Sequence, residues 1–361
     1  MPKKTGSPTI RDVARLAGVS VTAVSRVLNE SNPPVSKDTL ARIQKVIADL
    51  HYVPHAAARS LSSNRKHAIG LLLPEIGGNF FRPLLRGIET AVAEYGYDLL
   101  IHTTQMPYHA GVARRPLAEH NTDGLLIFSD SLDTKELTRL NGIRFPMVLL
   151  YQTPPDGLNI PTVTIENQSG AQQLVSHLIE VHNCHRIAYL RGPKGHEDSV
   201  WREKGYLKAL QEHNILFDPS LVRRGGFNHD EARPAVEQML LDGVEFDAIF
   251  TGDDDAALGA LLVLREAGLR VPEDIAVAGF DDQDTARTSI PPLTTVRAPT
   301  EQVGKEAVQE LVRSINSENT TARIVLPTEL ILRMSYGCCH PAEPRSADKG
   351  GDPQVDTKSQ L

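Results

Sequence analysis

The stretch Thr9–Asn29, TIRDVARLAGVSVTAVSRVLN, decides how the rest of the chain is read. Thr9 with Asp12 three residues on is an approximate capping box, Asp standing where Glu is commoner, and it opens a helix. Val13, Ala14, Leu16 and Ala17 follow as an apolar set at helical spacing. Gly18 can take the positive φ that a sharp helix exit needs. Ser20 caps a second helix through its hydroxyl. Val24, Val27 and Leu28 turn that helix inward at i, i+3 and i+4. Val21, Thr22 and Arg26 are left on another face, near the helix start. The pattern predicts a helix-turn-helix whose second helix enters a DNA major groove.

Downstream, Asn32-Pro33-Pro34 forces a turn. Ser36 caps a third helix with an apolar stripe of Leu40, Ile43, Val46, Ile47 and Leu50. Three helices this short bury little, so the headpiece is expected to be marginally stable alone. Pro54 is well placed to start a further helix in YVPHAAARSLSSN, which is too short to be helical by itself in water.

From Ala68 the pattern changes to strands alternating with helices. Strands are expected over Ile69–Leu73, Leu99–His102, Gly124–Phe128 and Pro146–Leu150, with a helix over Phe81–Glu94. The rhythm repeats with a strand at Val163–Ile165, a helix over Ala171–Val181, a strand at Arg186–Leu190 and a helix over Ser199–His213. A strand at Ala248–Thr251, a helix over Ala256–Ala267 and a strand at Ile275–Gly279 complete it. Such βαβ repetition implies parallel sheets covered on both faces. The expected fold is therefore a small all-α headpiece followed by an α/β body of two doubly wound lobes.

Composition agrees. With 361 residues the chain exceeds one ordinary core. At 40% hydrophobic and 23% charged residues it reads as a soluble globular protein. MPKKTGSPT lacks the apolar run of a secretory signal. Three cysteines, Cys184, Cys338 and Cys339, suit a reduced cytoplasm better than a disulfide framework. Residues 1–66 carry eleven Lys and Arg against four Asp and Glu, whereas the remainder carries 27 against 41. A basic head on an acidic body suits a DNA-binding module joined to a domain that does not touch DNA.

The N-terminal segment resembles the LacI/GalR family of bacterial transcriptional regulators. The residues that carry the resemblance are Thr9-Ile10, Asp12-Val13-Ala14, Gly18-Val19-Ser20 and Val24-Ser25-Arg26-Val27-Leu28-Asn29, then Tyr52, Pro54 and Ala58-Arg59-Ser60-Leu61. Less densely, it extends to about Ser335. It implies a headpiece over 8–53 and a hinge helix and linker over 54–66. It also implies a periplasmic-binding-protein-like body whose chain crosses between lobes near Pro161, near Ile290-Pro291-Pro292 and near Thr321. Lobe 1 would then hold 67–161 with 291–321, and lobe 2 would hold 162–290 with 322–338. Residues 340–361, rich in charge, Gly, Ser and Pro, are expected to be disordered.

On the DNA side, Arg26 can pair bidentately with guanine, worth ~1–3 kcal/mol of discrimination, while Val21 and the Thr22 methyl can touch a thymine methyl. An ion pair with Glu30 at i+4 is the plainer reading of Arg26. Ser20, Ser25 and Asn29 suit phosphate contacts, which set register. By resemblance, Val21, Thr22 and Arg26 set operator choice, Thr9 and Ala58 belong to the DNA-binding surface, and Leu61 is the hinge wedge inserted into the minor groove. Such a wedge bends the duplex at the expense of unstacking; a linker leucine packed on the body is the alternative. The resemblance further implies a homodimer on a pseudo-palindromic operator with half-sites about one turn apart.

Open α/β lobes bind ligands where loops leave the carboxyl ends of strands. Asn79, Phe80 and Phe81 follow the first strand, Trp201 and Arg202 follow Leu190, and Phe227 follows Val222. Asp253 follows Thr251, and Asp281 follows Gly279. By resemblance Arg202 is the effector-binding arginine, Asp253 and Asp281 are the polar pair, Phe227 stacks on a ring, and Phe80 or Phe81 is the lobe 1 contact. Carboxylates, a guanidinium fork and an aromatic face suit a small neutral sugar and disfavour an anion. Helix capping by Asp253 or Asp254 is the plainer reading, with one of the two capping and its neighbour facing the cleft. The chain departs from the family at Glu166-Asn167, at His182-Asn183-Cys184-His185, and at Pro107 and Pro116, which interrupt an expected helix over Ala110–Glu119.

No GxxxxGK[ST], GxSxG or HExxH occurs, and no GxGxxG follows the first strand, so no enzyme is expected. His182–His185 and Cys338-Cys339-His340 each lack a second ligand pair at metal spacing, so neither a metal nor another cofactor is expected. The expected function is a cytoplasmic repressor controlled by a sugar. A transport-type sugar receptor and a global regulator with a protein co-repressor are the alternatives.

Overall fold

A computed structural model describes residues 8–29, 33–52, 65–104 and 117–337. Pro54, Ala58, Leu61, Glu30, the Pro107–Pro116 stretch and the tail from Cys338 lie outside them, as does the Asn29 side chain.

The headpiece forms as its caps dictate. Helix α1 (Ile10–Ala17) opens on a reciprocal Thr9–Asp12 capping box and closes on Gly18 at φ 65°. Helix α2 (Val21–Asn29) starts where the Ser20 hydroxyl accepts from the Ala23 amide at 3.1 Å. Helix α3 (Lys37–Asp49) starts on Ser36, whose Oγ accepts from the Thr39 amide. Val13, Ala14, Ala17, Val24, Ile43 and Tyr52 form the buried core, with Val27, Leu28, Val46, Ile47 and Leu50 packed against it. Leu16, expected inside, is 57% exposed. The three helices leave α1 an apolar face only as wide as Val13, Ala14 and Ala17.

The described residues divide into two compact units, the headpiece being grouped with the first. In the first, β1 (Ala68–Leu73), β2 (Asp98–Thr103), β3 (Gly124–Phe128), β4 (Met147–Leu150), β5 (Thr162–Ile165) and β11 (Arg323–Leu326) form a parallel sheet. Its order is β11-β5-β4-β3-β1-β2. Helices α4 (Phe81–Glu94), α5 (Leu117–Asn121), α6 (Thr134–Gly142) and α12 (Thr300–Ile315) belong to this unit. Helices α4 and α12 approach until a Cβ on Gly87 would lie 2.0 Å from the Glu301 carbonyl oxygen, and one on Gly304 2.6 Å from that of Leu84.

The second unit is built on β6 (Ile187–Arg191), β7 (Val222–Arg224), β8 (Ala248–Thr251), β9 (Ala276–Asp281), β10 (Thr294–Arg297) and β12 (Glu329–Ile331). The order is β12-β10-β9-β8-β6-β7, parallel except for β12 against β10. Helix α7 (Asn167–His182) leads into it, and α8 (Glu197–Glu212), α9 (His229–Leu241), α10 (Asp254–Glu266) and α11 (Asp284–Thr288) follow. Its core joins Ala188, Leu190 and Ile249 to Val236, Ala260 and Leu264.

The units exchange chain later than the expected crossings at 161, 290 and 321. Pro161 accepts from the Leu149 amide at 2.9 Å, and β5 pairs with β4 and β11, so the first unit continues to Asn167. Pro292 accepts from the Met334 and Ser335 amides, and β10 then runs beside β9, so the second unit continues to Arg297. The Thr321 amide donates to Glu310 ahead of β11, and the first unit continues to Thr328. Each turn feeds one more strand of the same sheet before the chain leaves it. Lys194–Trp201 also groups with the first unit.

Candidate functional site

In the headpiece the expected reading face is exposed. Val24 is fully buried, and this rotates Val21, Thr22 and Arg26 outward. Val21 is 42% exposed and so offers its methyls to a partner on that face. Thr9 and Ser20 spend their hydroxyls on the two helix starts. The Asp12 carboxyl is held below its usual range by the Thr9 hydroxyl and amide, with Arg15 adding to them.

In the second unit the candidate residues meet around Arg202. Arg202 lies on α8 one turn before Tyr206, so both face the sheet. The Tyr206 hydroxyl donates to the Ile187 carbonyl at 2.9 Å, and its ring stacks on Tyr189, which stacks on Phe250. That anchor drives the Arg202 guanidinium under the strand ends, where it is only 2% exposed. Its Nη1 donates to the Gly252 carbonyl, and its Nη2 meets Asp281 Oδ1 at 3.1 Å. Its Cζ lies 3.8 Å from the Phe280 ring centroid and 5.5 Å from that of Phe227. A guanidinium taken out of water needs this combination of a paired carboxylate, a carbonyl and ring faces.

Phe227 marks the topological switch of this sheet. A Cβ on Gly192, after β6, would lie 2.3 Å from its ring, and one on Gly252, after β8, 3.0 Å. The half-buried ring thus spans the exits of neighbouring strands whose connections run in opposite directions, where open sheets take ligands.

Asp253 caps α10, its Oδ1 accepting from the Ala256 amide at 2.9 Å. With Asp253 as the cap, its neighbour Asp254 was expected to face the cleft, and it does not. It is fully buried and accepts from the Thr295 hydroxyl at 2.6 Å and the Gln283 amide at 2.7 Å. Asp281 is the last residue of β9, not a loop residue beyond it. Its φ is 105°, and that of Asp282 is 55°. Two successive non-glycine residues at positive φ are strained and must be over-determined by their surroundings. Arg202 holds the Asp281 carboxylate, while Asp282 is gripped by Arg297 at 2.8 Å, by Arg287 at 3.4 Å and by Arg333. Against the pull of burial, Arg333 and Arg297 keep the Asp282 carboxyl below its usual range. The Asp282 clamp has a trace in the sequence, the second Asp of GFDD, but its partners come from distant positions.

Burial pushes the Asp253 carboxyl up to about 8, with Asp281 adding to it. Burial likewise raises Asp254 well above the carboxylate range and raises Asp281, the latter opposed by Arg202.

The other candidates are placed differently. The Trp201 indole donates to Glu197 Oε1 at 3.2 Å, and Glu197 also accepts from the Thr153 amide and hydroxyl. Trp201 thus falls with the first unit and Arg202 with the second. Phe81 is 8% exposed and belongs to the core of α4, its ring edge-on to Phe128. Phe80 is half-buried at the exit of β1, 5.5 Å from Tyr151 and 6.0 Å from Phe128, with Asn79 half-exposed before it. Of the expected lobe 1 aromatics, Phe80 is therefore the one with a surface to offer. Among the described residues no group of three or more His, Cys, Asp and Glu is arranged to hold a metal ion. The Cys184 thiol is buried and pushed up to about 12, which leaves it unreactive.

A headpiece that turns Val21, Thr22 and Arg26 outward, on one chain with a sheet whose switch point gathers Arg202, Asp281 and Phe227, defines a DNA-binding regulator with a receptor body. Comparison with known proteins agrees. Residues 9–55 match the family described as bacterial regulatory proteins, lacI family, and residues 175–336 match the periplasmic binding protein-like domain. The ribose operon repressor of Halalkalibacterium halodurans (strain ATCC BAA-125 / DSM 18197 / FERM 7344 / JCM 9153 / C-125) is 34% identical over 327 residues, 90% of this chain and 96% of its own. A solved complex of the transcriptional regulator CelR with cellobiose is 32% identical at a TM-score of 0.66, covering 91% of this chain and 99% of that one. The Lac repressor dimer bound to operator and the anti-inducer ONPF is 26% identical at a TM-score of 0.80, covering 92% and 99%.

The chain belongs to the lacI family of bacterial regulatory proteins. It is a DNA-binding transcriptional regulator.

Proposed function

We propose that the protein is a repressor that binds a pseudo-palindromic operator as a homodimer, and that a small neutral carbohydrate changes its affinity for that operator. Val21, Thr22 and Arg26 read base edges, and Ser20, Ser25 and Asn29 position phosphates. Arg202, Asp253, Asp281 and Phe227, all of the second unit, hold the effector. It works in the compartment that holds the chromosome and performs no chemistry on its ligand. One observation carries the effector reading. A buried guanidinium, two carboxyls and a half-exposed ring converge at the β6/β8 switch point. That set offers donors, acceptors and a ring face without net positive charge, which suits hydroxyls and a sugar's C–H face.

Trp201 is the only tryptophan in the chain and adjoins Arg202, so its emission reports on this end of α8. Titration with cellobiose, D-ribose and a panel of other mono- and disaccharides is expected to find one that shifts the emission, raises the melting temperature and alters operator affinity. Linkage requires the operator to alter the sugar's affinity by the same factor. A sugar that stabilises the protein yet leaves operator binding unchanged would sink the switch while sparing the binding site.

A further inference from the structure

Three buried carboxyls, Asp253, Asp254 and Asp281, stand about one buried guanidinium. Arg202 pairs with Asp281. The Thr295 hydroxyl and Gln283 amide satisfy Asp254. Asp253 takes only the Ala256 amide, on Oδ1, and among the described residues nothing donates to its Oδ2. It is 4% exposed. A second full negative charge beside Asp281, out of water and without its own cation, is the arrangement in which one of two carboxyls keeps a proton.

We propose that Asp253 enters the effector group as an uncharged carboxylic acid, so that its Oδ2–H donates to an acceptor oxygen of a neutral effector. An ionised carboxylate only accepts, whereas the acid both donates and accepts, as an asparagine amide does. The inference rests on the effector reading above and assigns one donor within it. Arg202 from α8, Asp281 from β9 and Asp255 on its own helix act on Asp253, and Asp253 in turn acts on Asp254. His229 from α9 is held by Asp255, through Nδ1 at 2.9 Å. Burial first, then Asp281 and Asp255, favour the proton; the Ala256 amide and Arg202 oppose it. The balance leaves the acid titrating at about 8.

Two measurements on the full-length protein test this. In carboxyl-13C aspartate NMR, with Asp253→Asn assigning the resonance, Asp253 is expected to titrate near 8. A resonance already ionised at about pH 6, far above the ordinary aspartate value of about 3.9, would overturn the proposal. In calorimetry with cellobiose and D-ribose as probes, wild-type affinity is expected to fall above pH 8, approaching ten-fold per pH unit. Asp253→Asn, with the same donor and acceptor but no titrating proton, is expected to bind more tightly than wild type at about pH 9.5 and to lose the pH dependence. Wild-type binding that ignores pH, or that tightens as pH rises, would refute the role. If no sugar of the whole panel binds while Asp253 still titrates near 8, the acid stands and the carbohydrate reading falls.

Discussion

At the scale of single residues, burial sorts the candidates. Arg202→Ala leaves Asp281 buried and without its cation, and breaking such a pair costs about 3–5 kcal/mol. Urea unfolding is expected to show that loss, and a variant within 1 kcal/mol of wild type, by that scale, would deny the pair its structural weight. Asp253 gives a signed pH dependence. Its folded-state value of about 8 lies above the unfolded one, so the folded state holds the extra proton. The contribution of Asp253 to stability is therefore fully present below about pH 4 and is lost as pH rises through the folded value. Asp253→Asn is expected to melt increasingly above wild type over that window, the gain levelling off beyond pH 8. Arg26→Ala is expected to weaken operator binding by about 1–3 kcal/mol in a competition assay and binding to random DNA far less. Equal losses on both would make Arg26 a phosphate contact. Phe227 and Asp253 were legible in the sequence as positions just after strands, because strand ends can be read from apolar runs, and Arg202 as a position on the helix that follows Leu190. The Asp282 clamp was not, since Arg297 and Arg333 reach it only through tertiary pairing.

At the scale of elements, local chemistry and long-range contact divide the outcome. Both helix starts in the helix-turn-helix follow from Thr9, Asp12 and Ser20, whose hydrogen bonds span three residues. The βαβ rhythm was likewise legible from runs such as Ala248–Thr251. Helices α6, α9 and α12 were not. Helix α6 carries few apolar residues, Leu137 and Leu140 being its buried ones, and α9 contains Pro234. Helix α12 buries Gly304 and Glu310 with its aliphatics, so its stripe is obscured. The unit crossings, which the resemblance implied, were displaced for a related reason: each is followed by one more short strand that joins the old sheet only through tertiary pairing. The α4–α12 contact gives a direct test. Gly87→Ala would set a methyl 2.0 Å from the Glu301 carbonyl oxygen and is expected to destabilise by ~2 kcal/mol or more, as overpacking does. Gly142→Ala, at the end of α6 with nothing within 4 Å, is expected to be neutral or to stabilise by up to about 1 kcal/mol. Denaturant midpoints that rank the two variants the other way would deny the close approach of the helices.

At the scale of the whole molecule, charge and topology divide the labour. The basic first 66 residues precede an acidic remainder, so long-range attraction to DNA is concentrated at the N-terminal end. The receptor sheet keeps the Arg202 guanidinium buried and paired, which withholds that charge from polyanions. Operator binding is therefore expected to weaken steeply with salt, and carbohydrate binding hardly at all. The most direct test is fluorescence anisotropy of the full-length protein on a library of inverted-repeat duplexes and on random duplex, at low and moderate salt, with and without the carbohydrate panel. A salt-sensitive preference for some inverted repeat, shifted by at least one neutral carbohydrate, is the predicted result. Equal affinity for every duplex, unmoved by any carbohydrate, would contradict the account.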